Sequence, residues 1–175
     1  MHTPHSKRTQ RFGAIILGAC LIAPLAGCTP PGADDPDRFD QMEQADLTIG
    51  DEKFAAWIAK TDNERALGFM EVEAKRLETL PDGRYPGMLF IFKSDNSTRQ
   101  GFWMRRVPVP LDIAFVNSDR TIVTIKTMAP YDERNTYSDA PYRYALEVRA
   151  GLFKELGVEE GNVLEFPDSV LNNVQ

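Results

Sequence analysis

Every imidazole and every thiol of this 175-residue chain lies within its first 28 residues, as His2, His5, Cys20 and Cys28. A domain folded downstream of Cys28 therefore has no disulfide and no zinc site of Cys and His to staple it, and must rest on an apolar core. The same absence removes Cys-His and Ser-His-Asp nucleophilic machinery from that domain. Carboxylate, Lys, Tyr or Ser chemistry remains.

The first segment reads as an export signal. Lys7, Arg8 and Arg11 form a cationic start, and an apolar run of 15 residues, Phe12 to Ala26, follows. A bilayer span needs about 20 residues, so the run is short for one. It ends in Leu25-Ala26-Gly27-Cys28, small residues before a cysteine, which resembles the lipobox of bacterial lipoproteins. The expectation is a signal peptide over 1–27, cleavage before Cys28, and acyl chains on that residue that anchor the protein to a membrane. Thr29 occupies the position where Asp favours inner-membrane retention in enteric bacteria. In a cell with two membranes the expected location is the outer membrane, facing the periplasm.

Cleavage also changes the charge. Residues 1–27 hold three bases and no acid, leaving 17 basic against 26 acidic residues, a net charge of −9. Such a surface disfavours nucleic acid as a partner. The expected partners are the membrane, through Cys28, and a small ligand or envelope protein. The protein is expected to be a monomer, and no cofactor is expected.

Residues 28–45 are rich in Pro, Asp and Gln and read as a disordered tether. The domain is placed at 46–167, with a tail at 168–175. Within it, Lys53 to Lys60 reads as a strand. Thr61-Asp-Asn-Glu64 has capping-box spacing and opens a helix whose apolar positions recur through Ala66, Leu67, Met70, Ala74 and Leu77. The run Gly87 to Phe92 is apolar at every position after its glycine, as in a strand covered on both faces. Gln100 to Arg105 and Tyr144 to Arg149 read as strands, and Asn162 to Phe166 closes the domain. Leu111 to Val116 and Thr121 to Met128 flank a turn at Asn117 to Arg120. Leu152 to Leu156 reads as a short helix capped by Gly157. Together these predict a mainly β (α+β) fold, a compact sandwich or barrel-like domain of about seven strands and two short helices.

Several blocks now stand in order: Glu64-Arg65 with Gly68 and Met70, Gly87-Met-Leu-Phe90, Phe102-Trp-Met104, Pro110-Leu-Asp-Ile113, and Leu146-Glu147 followed by Ala150-Gly151. In this order and spacing the chain resembles the prokaryotic domain-of-unknown-function family 192, over roughly Phe54 to Phe166. It departs from the family pattern at Phe69, where Leu is usual, in an insertion around Asp82 to Tyr85, and at Arg105 to Val109, which replaces a more polar stretch. The resemblance implies a compact β-rich domain, often exported or tethered, and brings no activity or functional residue with it.

The candidate site residues are polar positions inside apolar strands, together with their aromatic and basic neighbours. Asp112 sits between Leu111 and Ile113, and Glu147 between Leu146 and Val148. Each is an outward residue of an amphipathic strand, or half of a carboxylate pair in a pocket with Arg65 as counter-charge. Such a pair at the right separation is the minimum for a hydrolase of envelope polymers. Trp103 and Met104 are adjacent and face opposite ways, so one is expected in the core while the other, with Phe102 or Arg105, lines an apolar groove. A soft-metal site on these residues lacks histidine and Met-x-Met spacing. Three functions follow: a non-enzymatic binding domain, the preferred reading; a hydrolase built on Asp112 and Glu147; and a structural accessory of an envelope assembly.

Overall fold

The computed structural model describes residues 32–175 apart from positions 36, 97 and 99. The leader and Cys28 lie outside the described residues. One curled sheet is built from β1 (Gln44–Ile49), β2 (Glu52–Ala59), β3 (Tyr85–Asn96), β4 (Leu111–Val116), β5 (Ile122–Met128), β6 (Tyr142–Arg149) and β7 (Leu164–Glu165). Among the described residues three short helices accompany it, α1 (Arg38–Gln41), α2 (Asp62–Leu67) and α3 (Leu152–Leu156). The strand order is β5-β4-β6-β3-β2-β1-β7. Only β2 and β3 pair in parallel, and the stretch containing α2 makes the crossover that a parallel pair requires. The mainly β architecture of seven strands agrees with the sequence reading, with one more helix than expected.

Both faces of the sheet are covered, which is why its central strands are apolar at nearly every position. Leu89 and Ile91 of β3 point into one core with Leu146 and Val148 of β6, beneath Leu152 and Phe153 of α3. Met88 and Phe90 point into the other, with Ile113 and Phe115 of β4, beneath Phe39, Phe69 and Val107.

Local chemistry sets the element ends. The Thr61 hydroxyl accepts the Glu64 N–H at 3.2 Å, and the Glu64 carboxylate accepts the Thr61 N–H at 2.8 Å, the reciprocal cap the spacing predicts. The helix stops at Gly68, whose φ of 46° a side-chain-bearing residue adopts only with strain. The apolar periodicity through Leu77 is therefore not one helix. Phe69, Val72 and Leu77 reach the core from irregular chain and a 3-10 turn. The Asn117 side chain accepts the N–H groups of Asp119 and Thr121 and closes the β4–β5 hairpin.

Two expectations need correction. Gln100 to Arg105 is a loop touching Thr136 through one bridge at Phe102, because β3 is already paired on both sides, with β2 and β6. The folded unit also exceeds 46–167 at both ends. Arg38 and Phe39, placed in the tether, are buried. The Phe39 ring packs 5.2 Å from Trp57 and 6.0 Å from Phe69, and the Arg38 guanidinium donates to the carbonyls of Gly68 and Met70. Desolvation lowers the Arg38 pKa to about 10, which leaves it charged at neutral pH. In the tail, Val170 is buried and the Gln175 N–H donates to the Lys60 carbonyl at 3.0 Å. A proline- and acid-rich composition hid two anchoring side chains at one end.

Candidate functional site

The strand order places β6 between β4 and β3, in the middle of the sheet, and Glu147 in the middle of β6. Its partners across the ladders are Ile113 and Met88, both buried, so a carboxyl occupies a core position. Only 4% of Glu147 is exposed, and no group among the described residues donates a hydrogen bond to it. Burial, acting alone, lifts its pKa from the ordinary 4.5 to about 8. Ionising a carboxyl in apolar surroundings without a partner is costly, so it holds its proton at neutral pH.

A small cavity of about 30 Å³ lies over Glu147, room for a group the size of one or two waters. Phe69, Phe90, Phe102 and Trp103 supply aromatic lining, with Arg65 and Arg105 as its cations. An outer groove of about 240 Å³ continues between α2 and the 100–103 loop, over Phe90 and Phe92. Trp103 stands 44% exposed at the rim, with the Arg105 guanidinium 5.7 Å from the centre of its ring. Four side chains singled out from the sequence thus meet at one place: Arg65, Trp103, Arg105 and Glu147.

The walls are held firmly. At Gly101 a Cβ atom would lie 2.8 Å from the Asn135 Cβ and 3.0 Å from the Thr136 carbonyl, so only glycine allows this loop to approach the 135–137 segment. The opposite wall is tied on by a second contact. The Glu71 N–H donates to the Arg106 carbonyl at 2.8 Å, and the Arg106 Nε donates to the Glu71 carboxylate at 2.9 Å. Both residues have left-handed backbones, with φ of 55° and 58°, a conformation costing on the order of 1 kcal/mol each. Arg65 is spent on scaffolding. Its guanidinium donates to the carbonyls of Lys60 and Ile91, to Asp62 and to the Gln175 main-chain oxygen.

The paired-carboxylate reading is overturned by the register. Asp112 stands opposite Val148, whereas Glu147 stands opposite Ile113, so the two acids project from opposite faces of the sheet. Asp112 is a structural residue. Its carboxylate accepts the Thr127 hydroxyl at 2.7 Å and the Gly151 N–H at 2.8 Å, fixing the turn into α3. The hydrolase built on these two residues therefore lacks its geometry, and Arg65 is not a counter-charge to them.

Of the adjacent pair, Met104 is the core residue, 1% exposed, and does not line the cavity. Phe69 and Phe90 were missed as site residues. Their apolar periodicity marks them as core, and nothing in sequence shows that a cavity opens beside them. Larger hollows of about 600 and 590 Å³ lie elsewhere, one along Asp34 to Arg76 and one between Gly50 and Val163, and neither holds a buried carboxyl without a partner. No group of His, Cys, Asp and Glu among the described residues is arranged to hold a metal ion. No helix among them is long and apolar enough to cross a membrane.

Comparison with known proteins agrees with this architecture. Residues 45–166 match the family DUF192, described as "Uncharacterized ACR". A UPF0127 protein of Pyrococcus abyssi is 30% identical over 130 residues, covering 69% of this chain and 97% of the relative. A solved Sinorhizobium meliloti 1021 structure, of a protein provisionally described as a transcription regulator, superposes with a TM-score of 0.58 at 32% identity, covering 71% of this chain and 92% of that one. A protein of unknown function from Novosphingobium aromaticivorans DSM 12444 does so with a TM-score of 0.57 at 30% identity, covering 71% and 84%. The chain belongs to the DUF192 family.

Proposed function

We propose that this protein is a lipid-tethered envelope component whose DUF192 domain binds a ligand in the groove between α2 and the 100–105 loop, without catalysing a reaction. One observation carries the binding role: a partnerless carboxyl, held in the core at a cost, lies under an aromatic channel open to solvent. Trp57 Nε1, Asn96 Nδ2 and Arg143 Nε are also buried without a partner, but Glu147 is the carboxyl among such groups and faces a space that a ligand can enter. The regulator description of the Sinorhizobium relative does not transfer well, because a net charge of −9 over residues 28–175 opposes a phosphate backbone. The tether rests on the leader and on Cys28. Mass spectrometry of the native N-terminal peptide is expected to show a diacylglyceryl group on Cys28, and an unmodified cysteine there contradicts it.

The binding role is tested by exporting the chain behind a non-lipoprotein leader, so that it starts at Thr29, and screening it by thermal shift against sugars, peptides and amines. A stabilising compound is expected, with Trp103→Ala weakening it about tenfold through loss of the rim contact. A screen silent in every class contradicts binding.

A further inference from the structure

We infer that the chamber over Glu147 receives a primary ammonium group, whose N–H donors pair with the Glu147 carboxylate while the ligand's apolar body lies in the outer aromatic groove. This deepens the binding role proposed above and rests on it.

Size is the first argument. The chamber measures only about 30 Å³, which suits a compact donor group such as an ammonium better than a sugar ring or a quaternary ammonium. Chemistry is the second. Once ionised, the Glu147 carboxylate is an acceptor with no protein donor, and a group with three donors and no acceptor, an ammonium, complements it. The aromatic lining of Phe69, Phe90, Phe102 and Trp103 keeps the chamber apolar apart from the carboxyl, and the Trp103 ring already carries a cation, the Arg105 guanidinium, at its rim. The third argument concerns the charged groups nearby. Arg65 and Arg105 are the cations lining the cavity. The donors of Arg65 are committed to Lys60, Ile91, Asp62 and Gln175, and Arg105 is exposed above Trp103. β3 and β4 present only Met88 and Ile113 beside Glu147, so neither brings a competing charge.

Binding of a cation ionises the carboxyl, so each ammonium bound below about pH 8 expels one proton to solvent. Affinity then rises about tenfold per pH unit between roughly pH 6 and 8 and levels above it, while an alkylamine stays charged to about pH 10.

The test uses the chain starting at Thr29, with 2-phenylethylammonium as probe and 2-phenylethanol as its neutral twin. Calorimetry in buffers of different ionisation enthalpy is expected to show release of about one proton per amine bound at pH 7. The alcohol is expected to bind at least tenfold more weakly, and tetramethylammonium not at all. Glu147→Gln, checked for folding by circular dichroism, is expected to lose both the proton release and the pH dependence. Competition separates two sources of the group. Phosphatidylethanolamine vesicles that displace the probe where phosphatidylcholine vesicles do not point to a lipid headgroup, and displacement by a lysine-bearing peptide alone points to a soluble amine. Equal, pH-independent binding of amine and alcohol overturns the ammonium assignment and leaves the groove as a binding site. No binding of the amine also overturns it, while the broad thermal-shift screen judges the binding role separately.

Discussion

Raising the pH from 4.5 to 8 is expected to cost this domain stability on the order of 4 kcal/mol through Glu147 alone. The sign follows from proton counting. The native carboxyl, with its pKa raised to about 8 by burial, keeps its proton through that window, whereas the unfolded chain gives its own up near 4.5. The native state binds the extra proton, so stability is complete below about pH 4.5, falls as the pH rises and levels above 8. A domain of this size is stable by only about 5–15 kcal/mol, so the loss is a large share of the total. Glu147→Gln preserves the shape and cannot ionise. Urea denaturation is expected to show this contribution flattened in the variant, which stands on the order of 4 kcal/mol above the wild type at pH 8 and within about 1 kcal/mol of it at pH 4.5. Identical pH profiles for the two proteins contradict the burial of an unpaired carboxyl.

Asp112 contributes through its hydrogen bonds. Asp112→Ala removes the acceptor of the Thr127 hydroxyl and the Gly151 N–H, two bonds to a charged group in a buried place. The loss is about 3 kcal/mol, because the Gly151 N–H at the turn into α3 is left without its partner. Asp112→Asn keeps an acceptor and is expected to lose about 1 kcal/mol. Neither change is expected to alter ligand binding, since Asp112 projects from the other face of the sheet. An Asp112→Ala variant as stable as the wild type contradicts this structural role.

In sequence the two acids look alike, each a single charge between apolar neighbours on a strand. What separates them is the pairing of β4 with β6, where Asp112 meets Val148 and Ile113 meets Glu147. Register depends on contacts between segments far apart in the chain, and no local pattern supplies it. The elements themselves were more legible. The Thr61–Glu64 cap, the Asn117 hairpin and the apolar run Gly87 to Phe92 within β3 are each written in residues a few positions apart. The failures are equally physical. Gln100 to Arg105 has strand composition, but β3 is already paired on both sides, and Gly68 ends α2 where apolar periodicity continues. Arg38 and Phe39 are covered because the 68–70 carbonyls and the Trp57 ring lie in reach, which a tether-like composition conceals. The site was half visible. Arg65, Trp103, Arg105 and Glu147 drew notice as polar or exposed-aromatic chemistry, while Phe69, Phe90 and the chamber between them exist only once the crossover and the loop close over β6.

The acidic character of the chain frames this site without deciding it. The ligand class turns on whether the Glu147 carboxyl keeps its proton at neutral pH, as its burial dictates. Carbon-13 NMR of the glutamate side-chain carboxyls, with Glu147→Gln used to assign the signal, follows that one proton directly. The expected titration midpoint is about 8. A midpoint near the ordinary 4.5 contradicts the account, because it shows a carboxyl already solvated or already partnered.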